Sequence, residues 1–257
     1  MTTKTSIATY PSLKGKTVLI SGGGSGIGAA MVRRFCEQSC KVGFLDIADE
    51  PSTALVTELT DAGHTVAYHQ CDVTDIEALQ AAIVSVSEAF GTIGVLVNNA
   101  AHDERHRWQD VTSAYWDERI AINIKHQFFA AQAVAPGMKE LGGGSIINMG
   151  STSWMIGSGG MACYTASKSA VLGLTRSLAR DLGPDNIRVN SIAPGWIMTE
   201  RQREKWLDEV GKEAIFRQQC LKRYLVEDDI ARPALFFASD EAGACTNQIY
   251  IVDGGWV

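Results

Sequence analysis

Residues 21–30 read SGGGSGIGAA, a glycine-rich turn between an apolar, β-branched run (KTVLIS, 16–21) and a segment with helical apolar spacing. Glycine lets the backbone approach a bulky anion and take turns barred to other residues. A helix starting directly after such a turn offers free N–H groups and its positive dipole end to a phosphate. Gly22, Gly26 and Gly28 are the expected pyrophosphate contacts, although a strand-to-helix turn can be glycine-rich for steric reasons alone. The next apolar run, KVGFLD, ends in Asp46, eighteen residues after Gly28. A carboxylate there can accept hydrogen bonds from an adenosine ribose and repel a 2′-phosphate, favouring NAD over NADP; the alternative is a helix-capping or turn acid.

The same pattern repeats outward from the turn. TVAYHQ (65–70), IGVLVNNA (93–100), GSIINMG (144–150), IRVNSIAPG (187–195) and QIYIVDGG (248–255) are short apolar runs, most ending in turn formers, with helical patterns between them. Continuous apolar strands alternating with helices predict a doubly wound α/β domain of Rossmann type, with a mostly parallel seven-stranded sheet covered on both faces. No repeat or linker divides the chain, so residues 1–257 are expected to form one domain. Its cofactor half is about 14–150, and its catalytic and substrate part about 151–257. LGGGS (141–145) reads as a helix stop before a strand. Residues 194–219, the least regular stretch, follow a strand's C-terminal end, where ligands bind in such folds, and are expected to form a lid.

The chain of 257 residues is 46% hydrophobic and 20% charged, enough apolar content for a sizeable core. A net charge of -6 without a basic run argues against nucleic acid and anionic membrane surfaces as partners. MTTKTSIATYPSLKGK at the N-terminus lacks a signal peptide's apolar core, and no apolar run has membrane-span length, so a cytoplasmic location is expected. Six cysteines without a C-x-x-C pair read as free thiols. Cys163 is either a redox handle or a small apolar filler.

Cys163 opens CYTASKSA (163–170), in which Tyr164 stands four positions ahead of Lys168. On a helix such a pair shares a face, with Cβ atoms about 5 to 6 Å apart. Taken alone, the pair could be a solvated tyrosine beside a surface lysine. Together with Gly22-x-x-x-Gly26-x-Gly28, NNA at 98–100, Asn123 and Ser151, thirteen residues before Tyr164, it resembles the short-chain dehydrogenase/reductase family along the whole chain. The resemblance implies that Tyr164 is the general base, with Lys168 and an oxidised nicotinamide favouring its phenolate. Bringing a tyrosine from a pKa of about 10 to neutrality takes roughly 4 kcal/mol of differential interaction. Ser151 would orient the substrate oxygen, and Asn123 would hold a water relaying protons from Lys168. Implied cofactor contacts are Gly22, Ser25, Gly26, Ile27, Gly28, Asp46, Ile47, Asp72, Val73, Asn99, Ala100, Tyr164, Lys168, Pro194, Gly195, Ile197 and Thr199. Ser21 stands where the family often has threonine, and Ala101 where glycine usually follows NNA.

HDERH (102–106) places two histidines four apart with acids between them. A helical zinc motif needs Glu directly after the first His, and Asp103 stands there, so no metal is expected. YPSLKGK, FLDIADE, DERHRWQDVTSAYWDERI, AQAVAPGMK, GGGSIINMGSTSW and QCLKR resemble the family's sugar-oxidising branch, the bacterial aldose 1-dehydrogenases. The resemblance implies oxidation at the anomeric C1 of a cyclic aldose by NAD, yielding the aldonolactone. The sugar would be a pentose such as L-arabinose or D-xylose, or a 6-deoxyhexose such as L-fucose. Substrate candidates are Ser151, Ser153, Trp154, His102, Tyr164, Trp196 and Arg201; Trp206 and other lid aromatics serve equally as packing. Alternatives are another short-chain alcohol dehydrogenase or oxoacyl reductase, and a non-catalytic nucleotide sensor. The family also implies a homotetramer, with helices at 112–141 and 161–183 and the closing YIVDGGWV as candidate interfaces.

Overall fold

A computed structural model describes residues 8–257. The first part of the N-terminus read for a signal peptide therefore lies outside the described residues. Strands β1 (Thr17–Ser21), β2 (Lys41–Asp46), β3 (Thr65–Gln70), β4 (Ile93–Asn98), β5 (Gly144–Met149), β6 (Ile187–Pro194) and β7 (Ile249–Val252) fall on the seven apolar runs. They form one sheet in the order β3-β2-β1-β4-β5-β6-β7. Every pairing is parallel, so "mostly parallel" becomes wholly parallel. The helices are α1 (Gly26–Glu37), α2 (Asp49–Asp61), α3 (Ile76–Phe90), α4 (Ser113–Ile120), α5 (His126–Glu140), α6 (Ala162–Leu182), α7 (Glu200–Lys205), α8 (Glu209–Gln218) and α9 (Glu227–Ala238). Among the described residues no helix is long and apolar enough to cross a membrane.

Alternation along the strands divides the core in two. On β1, Val18 and Ile20 join Val32 and Phe35 of α1 and Leu235 of α9 on one face. Leu19 joins Leu79 and Ile83 of α3 and Val134 of α5 on the other. Side chains of period two pointing to opposite faces, both covered by helices, explain why these runs are continuously apolar rather than alternating. After α5, Gly142 and Gly143 take positive φ values of 80° and 152°, so LGGGS does stop a helix before β5.

Strand order reverses between β1 and β4, whose carboxyl ends lie side by side; a crevice outside those ends is where such sheets bind ligands. The expected helix over 112–141 is interrupted. A π turn, Ala121–Lys125, lies between α4 and α5 and contains Asn123. Such turns carry an extra residue and leave backbone groups with altered partners.

Candidate active site

The glycine turn is built by close approach. Gly22 and Gly26 have φ of +66° and +51°, in the left-handed region that disfavours side chains. A Cβ on Gly28 would lie 1.8 Å from the carbonyl oxygen of Gly22, and one on Gly22 would lie 2.8 Å from Cα of Ala100. Asn99 ties the turn to β4, its Nδ2 donating to the carbonyls of Ser21 at 3.0 Å and Gly22 at 2.8 Å. Ser21 Oγ accepts from the backbone N–H groups of Asn99 at 3.0 Å and Ala100 at 3.1 Å, so the serine hydroxyl holds the two loops together. Ser25, the N-cap of α1, makes no side-chain cap bond. The first-turn N–H groups therefore have no side-chain acceptor and can meet an anion.

Asp46, at the end of β2, accepts from Gly24 N at 2.8 Å and Ala48 N at 2.9 Å. It thus also serves as the turn acid weighed as its alternative. Its neighbour Ile47 is 63% exposed, an apolar surface free for a flat ring. Asp72 is exposed and holds Thr74 through N at 2.9 Å and Oγ1 at 2.8 Å, while Val73 is buried. Thr199 caps α7, its Oγ1 accepting from Gln202 N at 3.3 Å. Its methyl would lie 3.3 Å from a Cβ on Gly26, so the lid base faces the glycine turn. A side-chain-free cradle with open N–H groups and an acid on the adjacent strand end fits a dinucleotide.

Beyond the cradle lies a cavity of about 410 Å³ whose wall includes Ile27, Asn99, Ser151, Tyr164, Lys168, Pro194, Gly195, Ile197 and Thr199. Tyr164 and Lys168 occupy the first turns of α6, with Lys168 Nζ 5.6 Å from the phenol ring centre. Lys168 is buried and donates to the Met149 carbonyl at 2.8 Å. Ser151 Oγ accepts from Ser153 N at 3.1 Å. Burial, and secondarily the charge of Asp103, push the Tyr164 phenol well above its usual pKa, opposed by a hydrogen bond from Ser151. Burial also lowers Lys168 to about 7, against the raising field of Asp103. In the protein alone, desolvation disfavours the charged form of each group, and the positive ring charge on which the expectation for the phenol also rests belongs to the cofactor.

Asn123 is fully buried and off the cavity wall. Its Oδ1 accepts from His102 N at 2.9 Å, and its Nδ2 donates to the carbonyls of His102 at 3.2 Å and Arg119 at 2.9 Å. Its backbone carbonyl accepts from Gln127 Nε2 at 3.3 Å and keeps a second lone pair for a water. His126, one turn along, is also fully buried; Nε2 bonds the Ala100 carbonyl at 3.1 Å, and burial with the Lys168 charge lowers its pKa to about 3.

Of the substrate candidates, Ser153, Trp196 and Arg201 line the cavity with Ser151 and Tyr164, whereas His102 and Trp154 do not. The His102 ring turns to Arg119 and to Glu104, 3.3 Å away. Asp103, Gln202 and Trp256 line the cavity without having been singled out. Trp256 belongs to the C-terminal stretch read as a possible interface. Asp103 accepts from Arg201 Nε at 3.1 Å and Gln202 Nε2 at 2.5 Å, and Trp196 Nε1 donates to Gln202 Oε1 at 3.0 Å. Arg201 also reaches Glu104 at 3.4 Å. Trp206 lies beneath the Arg105 guanidinium, 5.1 Å from ring to charge. HDERH is irregular rather than helical, and among the described residues no group of three His, Cys, Asp or Glu is arranged to hold a metal.

A profile of the family described as enoyl-(acyl carrier protein) reductase matches residues 22–257. The chain is 49% identical over 251 residues to the D-xylose 1-dehydrogenase of Caulobacter vibrioides, covering 98% of this chain and 99% of that one. It is 47% identical over 247 residues to a Rhizobium meliloti protein named "Probable galactose dehydrogenase GalD", covering 96% of each. A solved structure of a Serratia marcescens short-chain dehydrogenase/reductase double mutant superimposes with a TM-score of 0.89 at 34% identity, covering 95% of this chain and 99% of that one.

Proposed function

Because this chain belongs to the short-chain dehydrogenase/reductase family, we propose that it removes hydride from the anomeric C1 of a cyclic aldose, with NAD as acceptor, and releases the aldonolactone. The chain is an oxidoreductase acting on CH–OH groups, similar to sugar dehydrogenases over nearly its full length. The observation that carries the reading is the convergence of Ser151, Tyr164 and Lys168 on one cavity that adjoins the glycine cradle. Its volume suits a small, mostly enclosed ligand.

Each residue has a task that its surroundings support. The Ser151 hydroxyl holds the sugar's C1 oxygen toward the phenol, and Tyr164 accepts the proton from that oxygen. Lys168 has N–H bonds left over after its bond to Met149, and these can grip a ribose. With a pKa of about 7 it can also release and regain a proton at neutral pH, passing it toward a water on the Asn123 carbonyl. Bound NAD would supply the hydride acceptor and a positive ring charge, which would add to the Ser151 hydrogen bond in lowering Tyr164. Gly22, Ser25, Gly26, Ile27 and Gly28 would receive its pyrophosphate. Asp46 and Ile47 would hold the adenosine ribose and ring with Asp72 and Val73 beside them, and Asn99, Ala100, Pro194, Gly195, Ile197 and Thr199 would hold the nicotinamide half. A second phosphate near Asp46 would meet a carboxylate, so NAD is preferred over NADP.

The substrate is a pentose or 6-deoxyhexose, residues 194–219 close over it, and the working form is a cytoplasmic homotetramer. The test is NADH formation by purified protein with NAD or NADP and a panel of D-xylose, L-arabinose, L-fucose, D-galactose and D-glucose. Turnover of at least one sugar with NAD supports the reading. Silence across the panel with NADH binding intact overturns it in favour of another alcohol or oxoacyl substrate, or of a non-catalytic nucleotide sensor.

A further inference from the structure

We infer that Asp103 is the residue that selects the substrate by its hydroxyls: its carboxylate, fixed by Arg201 and Gln202, accepts hydrogen bonds from two adjacent ring hydroxyls of the sugar. The inference rests on the aldose reading and names how that site recognises its substrate. Asp103 is the one carboxylate on the cavity wall among the described residues, and its side chain is 19% exposed. An ionised carboxylate has room for about four hydrogen bonds. Two are made here, one on each oxygen, by Arg201 Nε and Gln202 Nε2. Both donors come from α7, and Gln202 is itself held by the Trp196 indole, so the carboxylate's orientation is set before a ligand arrives.

The capacity that remains needs donors. The neighbouring wall groups Ser151, Ser153 and Arg201 can donate to sugar oxygens, but the O–H groups of a sugar also require acceptors, and a carboxylate is the strongest on this wall. Asp103 shares the cavity wall with Ser151 and Tyr164 at the reacting end, and its charge raises the pKa of both Tyr164 and Lys168. The hydroxyls next to C1 are therefore the ones to vary. A site built to bond a hydroxyl rejects the analogue lacking it, because the buried acceptor is left unpaired. A latch role alone, holding α7 to the loop after β4, would not discriminate between such analogues.

The experiment compares kcat/KM for the best aldose of the panel with its 2-deoxy and 3-deoxy analogues, in the wild-type protein and in Asp103→Asn, with NADH binding as the check on folding. Turnover of the parent aldose by the wild type decides the aldose reading separately. The expected result is that the wild type disfavours at least one deoxy analogue by about 10- to 100-fold. Asp103→Asn should lose a similar factor on the parent aldose and little on that analogue, so the preference collapses. Gln202→Leu, which removes a support and keeps the carboxylate, should lower all three alike. Equal losses on parent and analogues in Asp103→Asn would overturn the inference, leaving Asp103 as a latch. Wild-type turnover of both deoxy sugars as fast as the parent would overturn it without any variant.

Discussion

Replacing Lys168 with methionine should abolish turnover and yet stabilise the fold below neutral pH. The side chain is 2% exposed, and the protein acceptor found for its ammonium is the Met149 carbonyl. Burial lowers its pKa from 10.5 to about 7. Between those values the unfolded chain binds the proton and the folded chain does not, so stability rises with pH through that window. Below about pH 7 the lysine is charged in both states and the full penalty applies, at most roughly 5 kcal/mol from the displacement of the pKa. Methionine fills similar space without a charge and escapes the penalty, although it leaves the Met149 carbonyl without its donor, roughly 1 to 3 kcal/mol in the other direction. The assay is urea unfolding of both proteins without cofactor at about pH 6 and about pH 9.5. The stability of Lys168→Met relative to wild type should be greater at the lower pH by a few kcal/mol, roughly tracking the penalty. An equal difference at the two pH values would refute the reasoning, since the buried ammonium would then carry no pH-dependent cost.

Two further outcomes follow from the same site. Tyr164→Phe should collapse kcat by at least about 100-fold, the usual scale for a lost acid–base group, with the affinity for NADH measured by fluorescence titration nearly unchanged; substantial residual turnover would mean that another group takes the proton. Asp46→Ala removes the carboxylate that holds Gly24 and Ala48, and should narrow the ratio of kcat/KM for NAD over NADP by about tenfold or more. An unchanged ratio would leave Asp46 as a turn acid only.

What could be read from the sequence follows the range of the interactions. The strands were legible because each is a local run of apolar residues, and the turn at 21–30 because glycine is required by contacts within a few residues, such as that of Gly28 with the Gly22 carbonyl. Tyr164 and Lys168 share one helix, so their pairing needs only the helical repeat. The Asp103 contacts join residues nearly a hundred positions apart through a loop without periodicity, and nothing local announces them. HDERH drew attention to His102 instead, whose ring turns away from the cavity to Arg119 and Glu104. The upward push of burial on Tyr164 is not legible in the spacing for a related reason, since burial is a property of the assembled fold. The π turn at Asn123 was hidden because a single extra residue does not break the apolar pattern of a helix.

The central claim is that hydride leaves the anomeric carbon of a sugar with the phenol of Tyr164 taking the proton, and the most direct measurement follows the hydrogen itself. The best aldose of the panel, deuterated at C1, is oxidised with NAD, and the reduced cofactor is examined by mass spectrometry. The account predicts NADH carrying one deuterium and the aldonolactone carrying none at C1. Unlabelled NADH formed while the sugar is consumed would contradict it, placing the oxidation at another carbon.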